Sequence, residues 1–129
     1  MMTWSVTARI TADRRVRACR TGICTIRCVL AAACAEVGVP YIHGAISGWV
    51  TQVAISTPGD GLIDVLYPDG VSFRDRSVLS FAPSLCASVQ AALCVKMLIG
   101  RPVETGVLYY FDLLNQEFET IKLDLKKPE

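Results

Sequence analysis

Apolar residues dominate a stretch near the middle of the chain, and their pattern changes along it. Residues 41–46 are almost continuously apolar, which predicts a strand buried on both faces of a sheet. Residues 49–55 alternate, with Trp49, Thr51 and Val53 on one face, which predicts a half-buried strand. We therefore expect a buried sheet to end here and a second, more exposed β layer to begin.

Two further apolar segments have the length and the boundaries of helices. The first covers residues 26–37, with Thr25 as its N-cap and Gly38 after its end. The second covers residues 82–99, with Pro83 in its first turn. Both are apolar on more than one side, so we expect each to be covered on more than one face. The first helix enters the buried strand through a short loop, as the second half of a βαβ unit does.

The rest of the chain alternates turn signals with short elements. Residues 62–67 lie between two turns and are interpreted as a short strand or an extended segment, and residues 71–78 as a polar loop. Residues 107–114 and 118–124 predict a hairpin that turns at Asn115 and Gln116. The predicted fold class is α/β: a truncated Rossmann-like parallel sheet that continues into an antiparallel β layer, with two main helices.

Composition supports one folded domain. The 129 residues are 52% hydrophobic and 19% charged, which excludes intrinsic disorder. The mean hydropathy of +0.40 is high. The longest uncharged helical stretch, residues 82–95, is shorter than the roughly 18 residues that a membrane span needs. We attribute the excess to interface surface, and expect no membrane partner. Arg9 and Asp13 interrupt any apolar signal segment, which favours a cytoplasmic location.

The charge is unevenly distributed. Residues 1–27 hold six arginines and one acidic residue, a net charge of +5, whereas the remainder carries −4. An arginine-rich arm can bind nucleic acid, but no aromatic platform or glycine-rich loop accompanies it, so we favour a solvated arm without a nucleic-acid partner. The expected organisation is an arginine-rich segment over residues 1–21, a domain over 22–125 and a tail over 126–129.

Residues that could carry chemistry are few. The six cysteines include no Cys-x-x-Cys pair and His43 is the only histidine, so we expect no metal site and buried, reduced thiols. His43 lies inside the buried strand and is interpreted as a core histidine rather than a catalytic base. Neither a Gly-x-Gly-x-x-Gly motif nor a Walker loop is present. We predict no catalytic residue.

Several stretches, in order, resemble the ThiF/MoeB/HesA family, prokaryotic relatives of ubiquitin-activating enzymes. The match runs from about Arg27 to Asp124. The residues that carry it are Arg27 with CVLAAAC, Gly38 with Val39 and Pro40, His43-Gly44-Ala45, Gln52, Ser88, Gln90-Ala91, Lys96-Met97-Leu98, Gly100, Phe111-Asp112, Phe118 and Lys122-Leu123.

The resemblance implies an activity, a cofactor and partners. Such enzymes bind ATP and magnesium, adenylate the C-terminal glycine of a ubiquitin-like sulfur-carrier protein, and form homodimers. Arg27 matches the arginine expected to bind the cofactor. Gly22 replaces the aspartate on the adenylate side, and Ala31 replaces an asparagine of the following helix. Residues 62–67 hold none of the zinc-binding cysteines. The chain resembles only the C-terminal half, so no cofactor is expected in this chain itself.

Three functional hypotheses follow. The first is a fragment or degenerate member of these adenylyltransferases that retains dimerisation and docking of the sulfur carrier. The second is a non-catalytic oligomeric interaction module without nucleotide binding. The third, which we favour least, is a nucleic-acid-binding protein that uses the N-terminal arginines. The first two share the expectation of a homodimer.

Overall fold

The computed structural model describes residues 23–67 and 78–125, and only the helical backbone of residues 23–26. The predictions that lie outside the described residues are those for the segment 1–21, Gly22, most of the loop 71–78 and the tail 126–129.

Helix α1 (Ile23–Glu36) confirms the first predicted helix but begins three residues earlier. Thr25 therefore lies inside the helix, and its assignment as the N-cap is wrong. The propensity difference that opposes a threonine inside a helix is only about 0.7 kcal/mol, so the neighbouring residues decide. Gly38, with a φ of 71°, ends the helix in the left-handed conformation, and the Val39 N–H donates to Cys34 O at 2.9 Å.

Strands β1 (Tyr41–Ser47) and β2 (Val50–Ser56) confirm the two predicted strands. In β1, His43 and Ala45 are buried, whereas Ile42, Gly44 and Ile46 are only partly buried. The prediction of burial on both faces is therefore wrong, because the second face is covered incompletely. Strand β2 alternates at its start and is buried at every position from Val53 to its end.

Helix α2 (Leu62–Leu66) replaces the strand or extended segment predicted for residues 62–67, and that prediction is wrong. Gly61, with a φ of 71°, precedes the helix, and the backbone closes with Val65 N–H to Gly61 O at 3.1 Å. Ile63 on this helix and Tyr67 just after it are buried. Their packing partners, all partly buried, are Cys28, Ala31, Tyr41 and Leu66.

Helix α3 (Phe81–Leu98) confirms the second predicted helix within one residue at each end. Pro83 lies in its first turn, and Gly100 follows its end with a φ of 71°. By length and composition α3 could also cross a membrane, because its 18 residues include Lys96 and the apolar residues beyond it in addition to the uncharged stretch that ends at Val95. One such helix is weak evidence, since core helices of soluble proteins pass the same test.

Strands β3 (Val107–Asp112) and β4 (Glu117–Lys122) form the predicted hairpin. Asp112 shapes the turn: its Oδ1 accepts from Leu114 N–H at 2.9 Å, and its Oδ2 accepts from the Asn115 side chain at 2.8 Å. The four strands form one sheet in the order β1-β2-β3-β4, in which β3 is antiparallel to both β2 and β4. The α/β class is thus confirmed. The expectation that β2 starts a second, more exposed β layer is wrong, because β2 lies beside β1 in the same sheet and is buried from Val53 to its end.

The chain divides into two compact units, each with its own core. One comprises residues 1–41, 57–72 and 125–129, and the other residues 42–56 and 73–124. In the second unit α3 packs on the sheet around four buried residues: Val53, Ile55, Cys86 and Leu93. The opposite face of α3 is exposed, so residues 42–56 and 78–124, the described part of this unit, do not provide the second cover that the sequence predicts for that helix.

Candidate functional site

Arg27 is the one predicted cofactor-binding residue, and α1 places it beside an aromatic ring. Its Cζ lies 6.0 Å from the centroid of the Tyr67 ring. This distance is at the outer limit of a cation–π contact. A guanidinium that stacks by its plane keeps its N–H donors at its edge, where they suit a phosphate or a carboxylate.

Tyr41, at the start of β1, belongs to the same unit, and the positive charge of Arg27 affects the pKa of its hydroxyl. Burial raises the pKa of the Tyr41 hydroxyl above 10.0; the Arg27 charge opposes the shift, and Cys34, Tyr67 and Cys28 add to it. Burial also raises the pKa of the Cys34 thiol. This cysteine is therefore a thiol rather than a reactive thiolate at neutral pH.

Asp60 has a structural role in the loop before α2. Its Oδ2 accepts from Thr57 N–H at 2.7 Å and from the Thr57 hydroxyl at 3.3 Å, and its Oδ1 accepts from Leu62 N–H at 3.0 Å. The carboxylate is buried. Because both oxygens already accept donors within the loop, Asp60 caps and shapes the turn.

The other candidate residues are not brought together. His43 is buried in β1, as predicted for a core histidine, and Asp64 is exposed on α2. Lys96 is exposed on α3, where its charged end can reach solvent. Among residues 23–67 and 78–125, no group of three His, Cys, Asp or Glu side chains could hold a metal ion.

Gln90 forms a contact that the sequence does not reveal. Its Nε2 donates to the carbonyl oxygen of Ile42 at 3.1 Å, which ties the middle of α3 to β1. Cys86, one turn earlier, lies with its Sγ 3.8 Å from Gln90 Oε1. A Cβ on Gly44 would lie 2.5 Å from Gln90 Nε2 and 2.7 Å from Cys86 Sγ. Glycine is therefore required here for close approach of the helix to the strand.

An exposed aromatic strip lies near the hairpin turn. We define it as Trp49, Phe81, Phe111 and Phe118. The rings of Trp49 and Phe81 are 5.0 Å apart, and those of Phe111 and Phe118 are 5.7 Å apart. Phe111 pairs with Thr51, two residues from Trp49, so both pairs share one face of the sheet. Phe118 is 59% exposed. A surface of this kind suits a protein partner.

Comparison with protein families identifies the chain. The ThiF family matches over residues 20–129, which is most of the sequence. The chain belongs to the ThiF family. No curated protein matches it closely enough to count as a relative. ThiF membership covers every described helix and strand, including α1 with Arg27 and the sheet with the aromatic strip.

Membership also confirms the resemblance seen in the sequence. The match includes the Arg27 segment, the β1 segment and the α3 segment from which the ThiF resemblance was inferred. The sequence did not predict that Tyr67 lies beside Arg27, because residues 62–67 were expected to be extended. The helix before Tyr67 is too short to leave a periodic pattern in the sequence, so no signal places this ring.

Proposed function

We propose that this chain is a fragment or degenerate member of the ThiF/MoeB-like adenylyltransferases, which activate ubiquitin-like sulfur-carrier proteins. The observation that carries the proposal is the ThiF match over residues 20–129. The retained roles are formation of a cytoplasmic homodimer and docking of the carrier. The step from α1 through residues 37–40 into β1 supports a Rossmann-like sheet, since it has the form of the second half of a βαβ unit.

The described residues do not by themselves fit the ATP and magnesium that the family implies. Arg27 could supply one phosphate contact through its N–H edge. Asp60 has both carboxylate oxygens committed to its own loop. By resemblance, Gly22 and Ala31 stand where the family has polar residues. We therefore propose that the chain alone does not adenylate a substrate.

The test of degeneracy is ATP–pyrophosphate exchange together with calorimetric titration of ATP and magnesium. We expect no exchange above background and no saturable heat. Tight ATP binding would contradict the proposal. In that case Arg27→Ala, compared with the charge-preserving Arg27→Lys, would show whether the cation contacts the phosphates.

We propose the aromatic strip as the surface on which the carrier docks. Its exposed rings supply apolar area at low cost in side-chain entropy, as binding surfaces often do. The test is titration of a ubiquitin-like sulfur-carrier protein into wild type and Phe118→Ser. Truncating one anchor of a protein interface costs 1 kcal/mol or more, so we expect at least about fivefold weaker binding.

A matched control keeps this test specific. Leu114, 61% exposed in the turn beyond the strip, can be replaced by serine with little effect expected. Equal binding by wild type and Phe118→Ser would show that the strip is not the docking surface. Absence of binding by wild type would leave the alternative, an oligomeric interaction module without nucleotide or carrier, which the exposed face of α3 also supports.

A further inference from the structure

The outward face of α3 is uncharged and exposed along its whole length, with large apolar side chains toward its C-terminal end. Val95 is 54% exposed, Leu98 is 80% exposed, and Ile99 just after the helix is 65% exposed. Ser84, Ser88 and Ala91 are also exposed. Residues spaced by three, four or seven lie on one side of a helix, so these side chains form a single stripe. We call Ser84, Ser88, Ala91, Val95 and Leu98 the outer stripe.

We propose that a second copy of this chain covers the outer stripe, with the two α3 helices antiparallel and crossing at Ala91. This inference rests on the homodimer proposed above and assigns its interface. Small residues occupy the N-terminal half of the stripe, and large residues occupy the C-terminal half. An antiparallel two-fold pair therefore places Leu98 against the partner's Ser84, and Val95 near the partner's Ser88.

The polar groups of the stripe are compatible with burial. The Ser84 hydroxyl donates to Ser80 O at 2.8 Å, and the Ser88 hydroxyl donates to Ser84 O at 2.8 Å. Both hydroxyl protons are thus satisfied within the helix, so covering the stripe leaves neither donor without an acceptor. Burying a polar group costs free energy chiefly when it lacks a hydrogen bond.

Charge also favours a second copy over other occupants. The stripe contains no charged residue, and Lys96 is the only charge in α3. An acidic or basic partner would find no complementary group there. A second stripe is equally uncharged, and an antiparallel two-fold pair sets the large side chains of one copy against the small side chains of the other.

The available area sets the expected strength. An 18-residue helix is about 27 Å long and about 10 Å across. Its outward side then offers on the order of 300–400 Å² per partner, about half of the roughly 800 Å² of a standard interface. We therefore expect a dissociation constant in the micromolar range rather than the nanomolar range.

Sedimentation equilibrium of the full chain at micromolar concentration is the first test. The average mass of wild type should rise toward twice the chain mass of 14.0 kDa as the loading concentration increases past the micromolar dissociation constant. Ser88→Arg should sediment as a monomer, because it places a charge and a long side chain in the seam. Thr105→Arg adds the same side chain at an exposed position outside α3 and should remain dimeric. Far-UV circular dichroism should show both variants folded, since both sites are exposed.

Cysteine cross-linking tests the antiparallel crossing. In a Cys94→Ala background, which removes the exposed thiol of α3, Ala91→Cys should form a covalent dimer under mild oxidation. Ser84→Cys and Leu98→Cys should each stay monomeric alone and cross-link only when mixed. Self-cross-linking by Leu98→Cys as fast as by Ala91→Cys would show a parallel pair and overturn the proposal.

Other outcomes also contradict it. A wild-type monomer would show that the stripe is covered within one chain or stays bare. A dimer that survives Ser88→Arg would place the interface elsewhere. Sedimentation of a wild-type monomer with phosphatidylcholine–phosphatidylglycerol vesicles, lost in Ser88→Arg, would assign the stripe to a membrane. A monomer that binds the carrier at the aromatic strip would contradict the proposed dimer interface and leave the docking proposal intact. A dimer that binds no carrier would contradict the docking proposal and leave the dimer interface intact.

Discussion

Replacing Gly44 with alanine tests how α3 is held on the sheet. The added Cβ would lie 2.5 Å from Gln90 Nε2, 2.6 Å from Gln90 Cδ and 2.7 Å from Cys86 Sγ. Real Cβ atoms essentially never approach other heavy atoms this closely, so either the Gln90 and Cys86 side chains or the whole helix must move. Movement of Gln90 would break its hydrogen bond to Ile42 O.

The expected cost follows from three terms. Overpacking a contact of this kind costs about 1–3 kcal/mol. Loss of the Gln90 hydrogen bond adds about 1 kcal/mol. The lower backbone entropy of unfolded alanine returns about 0.5–1 kcal/mol. Gly44→Ala should therefore lower the free energy of unfolding by about 1–3.5 kcal/mol.

Urea denaturation followed by circular dichroism, at one fixed protein concentration, measures this change. Gln90→Ala combined with Gly44→Ala makes room for the new methyl group. The double variant should therefore lose less stability than the sum of the two single variants. Strict additivity, or a Gly44→Ala variant as stable as wild type, would refute the close contact between strand and helix as the reason for this glycine.

Three further predictions concern single polar groups. Asp60→Ala should lower the free energy of unfolding by about 2 kcal/mol in urea titrations, because the buried Leu62 N–H and the part-buried Thr57 N–H lose their acceptor. The Asn115 side chain and the N–H groups of Asn115 and Leu114 hold the pKa of Asp112 below 3.8. The contribution of Asp112 to the free energy of unfolding is therefore present above pH 3.8 and is lost as pH falls through the folded pKa. Asp112→Asn should make the free energy of unfolding less dependent on pH in that acidic range. Burial raises the pKa of Tyr41 above 10.0. The contribution of the neutral Tyr41 hydroxyl to the free energy of unfolding is therefore fully present below pH 10.0 and is lost as pH rises through the folded pKa. Tyr41→Phe should reduce this loss of stability in alkaline unfolding.

The long elements could be predicted from sequence because their signals are redundant. Helix α3 has Pro83 in its first turn, an apolar run and Gly100 after its end, and its bounds were correct within one residue. The hairpin of β3 and β4 combines two apolar runs with a polar turn of suitable length. In both cases the local chemistry and the pattern favour the same structure, so tertiary contacts had little to overrule.

The prediction of the short helix α2 failed because its sequence signals are not redundant. The segment Leu62–Leu66 holds four apolar residues and one aspartate, a run too short to distinguish a strand from a helical turn. Tertiary contacts decide instead: Ile63 and Tyr67 reach the same core only if the chain turns once between them. The surroundings of Arg27 were lost with this error, because Tyr67 follows that turn directly.

The outward face of α3 shows what a sequence pattern cannot separate. A helix that is apolar on every side predicts cover on every side, but not which side packs within the chain. The structure assigns Cys86, Leu93 and Gln90 to the sheet and leaves the stripe from Ser84 to Leu98 exposed. The apolar residues beyond those needed for the core of this unit therefore include a single, uncharged stripe. An exposed surface of this kind lowers the solubility of the isolated chain. Pairing with the same stripe of a second copy removes both surfaces from water at once.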